Sequence, residues 1–500
     1  MNKNERWKEM KKRLLSILLA GVLLLTGASG CGKKEDKGSA GDSEIYKVTL
    51  AYIGDKQPDT DRIQNAVNEI MRKDINMEIE LAPISWGSYA ETLKLVLSGG
   101  EKMDIVPVLI DQASSVVNAK QVIDMNELID QYGTNMKKIL GEEVVKASNI
   151  NGYVYGVTTA REWFTQSAVV MRKDIIDELS IDSSAIKSYE DLDAVYAKVK
   201  EANPDMYMIA SCNGTTPDVK YEVMDPLTDG YGVLMDSGQS TEVVNYYETD
   251  TYKNLILKLH DWQQKGYISP DGATTTDGNE AQVKAGSAFS YFSPTKPGYD
   301  QRAKALCNYD MEIVPIGELF SGSVSWLTYG ISNATKDPAK TMQCLDYIYG
   351  NTDILNLLNW GEEGKDYVVA DEEKGIITYP EGVTSENAAY HLNEGWQLFN
   401  QFDMYIWEGD DPDVWKETKE MNDKALKSKA FGFTYDPSGV SNEISALSNV
   451  KSQYISALGS GTVDPEKTLP EFIQALKDAG IDKVIAEKQE QFDKWLSDQK

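Results

Sequence analysis

Four tryptophans stand apart from the other aromatics of this chain. Trp86, Trp163, Trp326 and Trp360 fall outside the apolar stripes of helices, at expected strand ends or turns, and each has polar neighbours in sequence. An indole face so placed suits the apolar face of a sugar ring. Asp111, Arg161, Glu162 and Glu363 can hydrogen-bond the hydroxyls of such a ring, the mixture usual in a small-molecule cleft. Tyr89, Tyr291 and Trp396 complete the expected lining. Trp360 is the strongest single candidate, because Gly361 and Gly364 leave its turn little side-chain bulk and Glu363 stands close. Glu362 is set aside, since neighbours on a turn seldom both face one cleft. These aromatics come with hydrogen-bonding partners rather than with clustered Lys and Arg, so a neutral polyhydroxylated ligand, an oligosaccharide, fits better than a phosphate or a long acidic peptide.

Other chemistries find less support. Two histidines, His260 and His391, exclude a histidine-rich metal site and support a Ser-His-Asp triad poorly. Besides Cys31 there are Cys212, Cys307 and Cys344 at irregular spacing, which is neither a disulfide framework nor a zinc ribbon, and they read as buried free thiols. The carboxylates and glycines of 271–279 lack EF-hand spacing. No cofactor and no metal is expected. A glycoside hydrolase needs two carboxylates flanking the scissile bond. In so acidic a chain a pair could be picked anywhere, which makes that reading weak, although it and peptide binding remain the alternatives.

The elements that must position these residues follow from hydrophobic period. Tyr46, Val48, Leu50 and Tyr52 alternate as a strand does, and Ile63, Val67, Ile70 and Met71 follow at helical spacing. Strands at 77–81 and 104–110 enclose a helix through Leu93, Val96 and Leu97. Strand, helix, strand, helix, strand implies a parallel α/β sheet, whose ligands bind at the carboxyl ends of strands, where Trp86 and Asp111 stand. The glycine-punctuated run 151–157 reads as a crossing between two lobes. A strand is expected at 168–171, and a capping box at Ser188 to Asp191 opens a further helix. Tyr252, Leu255, Ile256, Leu259 and Trp262 make one helical core stripe. Helices follow at 340–349 and 354–358, and the tail is helical, with Ile481, Val484, Ile485, Phe492, Trp495 and Leu496 on one face.

The start of the chain places it outside the cytoplasm. Lys11, Lys12 and Arg13 precede an apolar run from 14 to 25, and small residues then lead to Cys31. That order is an export signal, and the run is shorter than the roughly 20 apolar residues of a membrane span. Residues 1–30 are therefore the expected signal peptide and 31–45 a flexible polar tether. The net charge of −29 repels nucleic acid and anionic lipid, which are bound largely by Lys and Arg. A monomer is expected.

The small residue before Cys31 resembles the bacterial lipoprotein signal, in which the cysteine is diacylated and becomes the N-terminus. The rest of the chain resembles the bacterial extracellular solute-binding proteins of family 1. In the first half the likeness rests on Trp86, the phrase Ser98-Gly99-Gly100-Glu101-Lys102-Met103-Asp104-Ile105 and the run 151–157. Further on it rests on 329–332, Asp337-Pro338-Ala339-Lys340 and 359–367, and most specifically on the tail at 431–437, 443–450, 479–482 and 487–489. That tail resembles a subgroup with a C-terminal domain of unknown function. The resemblance implies a two-lobed periplasmic-binding-protein-like α/β fold (type II), with parallel-rich sheets flanked by helices and a ligand cleft between the lobes. It also implies a ligand delivered to the permease subunits of an ABC importer, and no catalytic residues. On this reading 46–158 with 327–391 is the first lobe, and 159–326 with 392–500 the second.

One acyl chain holds a protein to a membrane only marginally, whereas two hold it stably. Diacylation at Cys31 should therefore place the protein in the detergent-rich phase of a phase separation, and Cys31→Ser should release it. Wild-type protein in the aqueous phase would refute the anchor.

Overall fold

The alternating run at 46–52 becomes strand β1 (Tyr46–Ile53). It is followed by helix α1 (Thr60–Ile75), β2 (Met77–Ile84), helix α2 (Tyr89–Gly99) and β3 (Ile105–Leu109). The computed structural model describes residues 44–221 and 223–499, so Cys31 and the leader lie outside the described residues. β1 runs parallel to β2 and to β3, with Tyr46 opposite Met77 and Leu50 opposite Ile105. Parallel neighbours need a long crossover, which α1 and α2 supply. Helix α3 (Ile110–Asn118) leaves directly from β3.

The chain then departs through β4 (Val157–Thr158) and builds a second sheet. Its strands are β5 (Ser167–Arg172), β6 (Tyr207–Ile209), β7 (Ala288–Pro294) and β8 (Met311–Pro315), in the order β8-β5-β7-β6. Here β5 is antiparallel to both neighbours, and only β6 and β7 are parallel. The chain returns as β9 (Leu327–Ile331), inserted antiparallel between β3 and β4, so the first sheet reads β2-β1-β3-β9-β4. The fold is thus mixed α/β, with parallel pairs in both sheets.

Each sheet has its own core. Val48, Leu50, Ile63, Val67, Met71 and Ile105 are buried together in the first. The second gathers Val169, Met171 and the stripe of helix α4 (Asp250–Gln264), in which Tyr252, Leu255, Ile256, Leu259 and Trp262 are all buried as their period requires. The capping box at Ser188 and Asp191 is formed. Cys212, Cys307 and Cys344 are buried and free.

Three expectations change. Residues 149–154 are a tight hairpin rather than a crossing: Ile150 faces Tyr153, and Asn151 and Gly152 take φ of 51° and 82°. Two left-handed turn residues are what a two-residue hairpin demands, and Asn-Gly is its usual sequence. The segments that connect the first sheet to the second are 159–166 and 316–326, and the chain passes over again after 407 to reach the C-terminal helices. Next, Leu398, Phe399 and Met404, which lie beyond 391, are buried in the first core rather than the second. Last, Trp360 is core. It ends helix α5 (Thr352–Trp360) and is 4% exposed, against Tyr367 and Ile377. Its ring lies 5.3 Å from that of Trp407, and its indole N–H donates to the Tyr405 carbonyl at 3.2 Å. Gly361, at φ 94°, ends the helix and does not open a cleft.

The tail forms helices α6 (Ser441–Gly459), α7 (Pro465–Asp478) and α8 (Ile481–Asp498), whose inner faces join the second core through Leu447, Leu458, Phe472, Ile481, Val484 and Phe492. Among the described residues no helix is long and apolar enough to cross a membrane.

Removing a buried aromatic costs about 3–5 kcal/mol. Trp360→Ala should lower unfolding free energy by that order in urea titrations, while the folded fraction keeps wild-type ligand affinity. A lost affinity with unchanged stability would return Trp360 to the site.

Candidate ligand cleft

The carboxyl ends of β1, β2 and β3 each present one indole. Trp86 follows β2 directly and remains 47% exposed. Trp326 precedes β9, and its carbonyl accepts from the Ile110 N–H at 3.0 Å, which sets it at the end of β3. Trp396 reaches the end of β1 because its neighbour Gln397 clips both polar groups of Ile53. The Trp86 and Trp396 rings stack at 5.9 Å and 22°, and Trp396 meets Trp326 at 5.5 Å. The Arg161 guanidinium lies 5.6 Å from the Trp326 ring and 5.5 Å from that of Trp396, within cation–π range.

This platform borders a cavity of about 340 Å³. Arg161, Glu162, Trp163 and Trp326 line it, together with Asp225 and Phe320. Its floor is made by the crossings, where Thr165 and Phe320 exchange backbone hydrogen bonds of 2.8 and 3.1 Å. The helix Val414–Lys424 holds the turn at 161–163. Its Asn422 side chain accepts from the Trp163 N–H and donates to the Arg161 carbonyl, both at 2.8 Å. The Trp163 indole N–H donates to the Thr159 carbonyl at 3.0 Å.

Glu162 accepts from Arg161 at 2.7 Å and from Lys296 at 2.8 Å. Burial alone would raise its pKa, but the two cations outweigh burial and hold it down at about 2. Burial pushes the Asp225 carboxyl up instead. On the wall the donor Arg161 Nε is buried without a hydrogen-bond partner, and the buried Asp225 carboxyl has the Leu227 N–H and the Ser428 side chain as partners. An unpaired donor, and a carboxylate with acceptor positions to spare, beside exposed indoles can bind hydroxyls and the ring face that carries them.

Of the residues singled out in the sequence, the structure brings together Trp86, Arg161, Glu162, Trp163, Trp326 and Trp396. Tyr89 is buried, and its hydroxyl is committed to β3, donating to the Pro107 carbonyl at 2.8 Å, so it supports Trp86 from behind. Asp111 is exposed beside the lining residue Ile110 and bonds Gln112. Tyr291 is buried in β7, where it borders a neighbouring cavity of about 370 Å³ and accepts from the Tyr299 hydroxyl. Glu363 lies on the exposed turn after Trp360 and lines neither cavity, while Glu362 pairs with Arg62 at 3.0 Å. Asp225, Thr228 and Phe320 were not foreseen. Asp225-Pro226 reads as an ordinary turn, and no local pattern reports that a turn will face a cavity.

The low pKa of Glu162 has a sign that can be checked. As pH falls, the unfolded chain takes up this proton near the ordinary carboxyl value, before the native state does. The stabilisation is therefore complete above about pH 5 and disappears as pH falls toward 2. Its size is on the order of 3 kcal/mol. In urea unfolding the difference between wild type and Glu162→Gln should be constant above pH 5 and shrink below pH 4.5. A pH-independent difference would refute the ion-pair assignment.

Comparison with known proteins is consistent with this geometry. A model of the bacterial extracellular solute-binding protein family matches residues 56–353, and a domain of unknown function (DUF3502) matches 429–497. A carbohydrate ABC transporter substrate-binding protein of Streptococcus pneumoniae is 27% identical over 506 residues, covering 99% of this chain and 100% of that protein. Lipoprotein LipO of Bacillus subtilis is 23% identical over 403 residues, covering 74% and 75%. Among solved structures, the N-glycan transport solute binding protein NgtS of S. pneumoniae superposes with a TM-score of 0.78 at 27% identity, over 91% of this chain and 100% of that one. The same protein in complex with Man5GlcNAc gives 0.65 at 27% identity, over 91% and 99%. With the family match spanning more than half of its length, the chain belongs to the bacterial extracellular solute-binding protein family.

Proposed function

We propose that this protein is a lipid-anchored receptor on the extracytoplasmic face of the cell membrane, which captures an oligosaccharide and hands it to the permease subunits of an ABC importer. The observation that carries this reading is the continuous indole surface of Trp86, Trp396 and Trp326 at the carboxyl ends of the first sheet, next to the unpaired Arg161 Nε. Sugars present apolar ring faces and hydroxyl edges, and this wall offers a counterpart to each. The S. pneumoniae relative named for carbohydrate transport, and NgtS with its bound Man5GlcNAc, support the ligand class. The name of LipO supports the anchor at Cys31.

In this reading the first lobe comprises 46–158 and 327–407, extended past 391 because Leu398, Phe399 and Met404 are buried in its core. The remainder forms the second lobe. The fall in TM-score from 0.78 to 0.65 between two structures of one neighbour, at equal coverage, supports a change of lobe arrangement with ligand. A ligand drives such closure only by binding the closed form more tightly. A hydrolase is less well supported, since one of the two cavity carboxylates, Glu162, is occupied by two cations and only Asp225 is left.

Man5GlcNAc and a wider glycan panel, followed by tryptophan fluorescence and calorimetry, test the proposal. Stoichiometric binding without products is expected. Covering one indole with a ring face contributes on the order of 1–3 kcal/mol, so Trp326→Ala or Trp86→Ala should weaken the best hit roughly ten- to a hundredfold. Binding of peptides but of no glycan would overturn the ligand class, and turnover would overturn the receptor role.

A further inference from the structure

The C-terminal helices reach a loop of the cavity wall through a buried cation. Lys488 of α8 is completely buried, with Nζ 2.6 Å from the Asp229 carboxylate and 3.2 Å from the Gly232 carbonyl. Its ammonium also lies 4.6 Å from the Tyr435 ring. Burying a charge is costly, and removing one member of such a pair strands the other, so the interaction strongly constrains where Asp229 sits.

Asp229 belongs to the loop 225–232, and the opposite end of that loop is cavity wall, formed by Asp225, Pro226 and Thr228. The loop backbone is left-handed at Leu227 and Thr228, with φ of 45° and 83°, and again at Gly230 and Gly232. A β-branched residue at such a φ is an outlier, which persists only where the surroundings over-determine it. Two restraints do so. Asp225 and Leu234 exchange backbone hydrogen bonds of 2.9 and 3.0 Å, which anchors the loop at its base. At the tip, Asp229 Oδ1 accepts from the Tyr231 N–H at 2.8 Å and from Lys488. Helix α8 is pressed close as well, since a Cβ on Gly232 would come within 3.1 Å of Ile485 Cγ1.

The held residue is Asp225. Its Oδ1 accepts from the Leu227 N–H at 3.0 Å and the Ser428 side chain is its other partner, which leaves Oδ2, at the wall, with acceptor capacity to spare. Resting on the reading of this cavity as the ligand site, we propose that Asp225 accepts a hydrogen bond from a ligand hydroxyl through Oδ2, and that Lys488 of the C-terminal domain is the positioning residue that holds the loop for it. The domain of unknown function is thereby part of the binding apparatus. A carboxylate with a free lone pair accepts from a neutral hydroxyl and repels a carboxylate or sulfate, so the sugar unit at this point is uncharged.

Two readouts separate the roles. Hydrogen–deuterium exchange of the ligand-free protein over 225–232 reports positioning, and titration with Man5GlcNAc reports contact. Lys488→Met should speed exchange in the loop about tenfold, leave β1 and β5 unchanged, and weaken binding about tenfold, the scale of one hydrogen bond to a charged group. Asp225→Asn should weaken binding similarly with loop exchange unaltered. If Lys488→Met does not fold, Lys488→Met/Asp229→Leu removes both charges and must show the same loosened loop. A folded variant lacking Lys488 with wild-type loop exchange overturns the positioning role, and an Asp225→Asn variant with wild-type affinity overturns the contact. If the wild type binds no glycan at all, the carbohydrate reading falls and takes the contact with it, while the exchange arm still decides the positioning.

Discussion

The cleft depends on one buried amide. Gln397 accepts from the Ile53 N–H at 2.9 Å and donates to the Ile53 carbonyl at 2.6 Å, across 344 positions of sequence. Both Ile53 groups would otherwise be buried and unpaired at the end of β1, a loss comparable to two broken hydrogen bonds. The side chain therefore completes the sheet where no strand does. By closing β1 it fixes the segment that carries Trp396, and so places that indole between Trp86 and Trp326.

The same segment also holds the start of the crossing. Ala160 donates to the Phe399 carbonyl at 2.7 Å and accepts from the Gln401 N–H at 3.0 Å, and Ala160 and Phe399 are buried together in the first core, just before Thr165 pairs with Phe320. Side chains of the tail meet the first half of the chain as well: Phe431 packs against the first core and the Asn118 amide donates to Asp436 at 3.1 Å. Arg161, Glu162 and Trp163 stand between Ala160 and Thr165, so the groups beside the cavity are carried by the segment that joins the two sheets. The net charge of −29 falls mostly on the surface, and the buried ion pairs at Glu162 and Lys488 lie at the cleft and behind it.

Where the sequence reading erred, it erred over neighbours distant in sequence. Trp360 precedes glycine-punctuated, polar text and looks like a turn, but its helix docks on the strand at 406–407, where Tyr405 and Trp407 enclose the indole. Trp396 sits in equally unremarkable text and became central, because Gln397 finds Ile53. Asn151-Gly152 carried a local hairpin signal that was legible and was read instead as a crossing. Tyr89 and Tyr291 were placed near the cleft, but a hydroxyl on a buried ring needs a partner, and both found one inside the protein.

What the sequence determined by itself was whatever repeats within one element. The alternation of 46–52, the stripe of 252–262, the capping box at Ser188 and the inner face of α8 appear in the structure as their periods require, because each depends only on which side of a strand or helix is apolar. The family was legible for the same reason, through short phrases spread along the chain. Tertiary structure alone decided which of the exposed-looking tryptophans meet, which carboxylate lines the cavity, and that a lysine near the C-terminus pairs with Asp229 in a loop beside it. Those outcomes rest on contacts between residues tens to hundreds of positions apart, and a local pattern holds no record of the partner that will arrive.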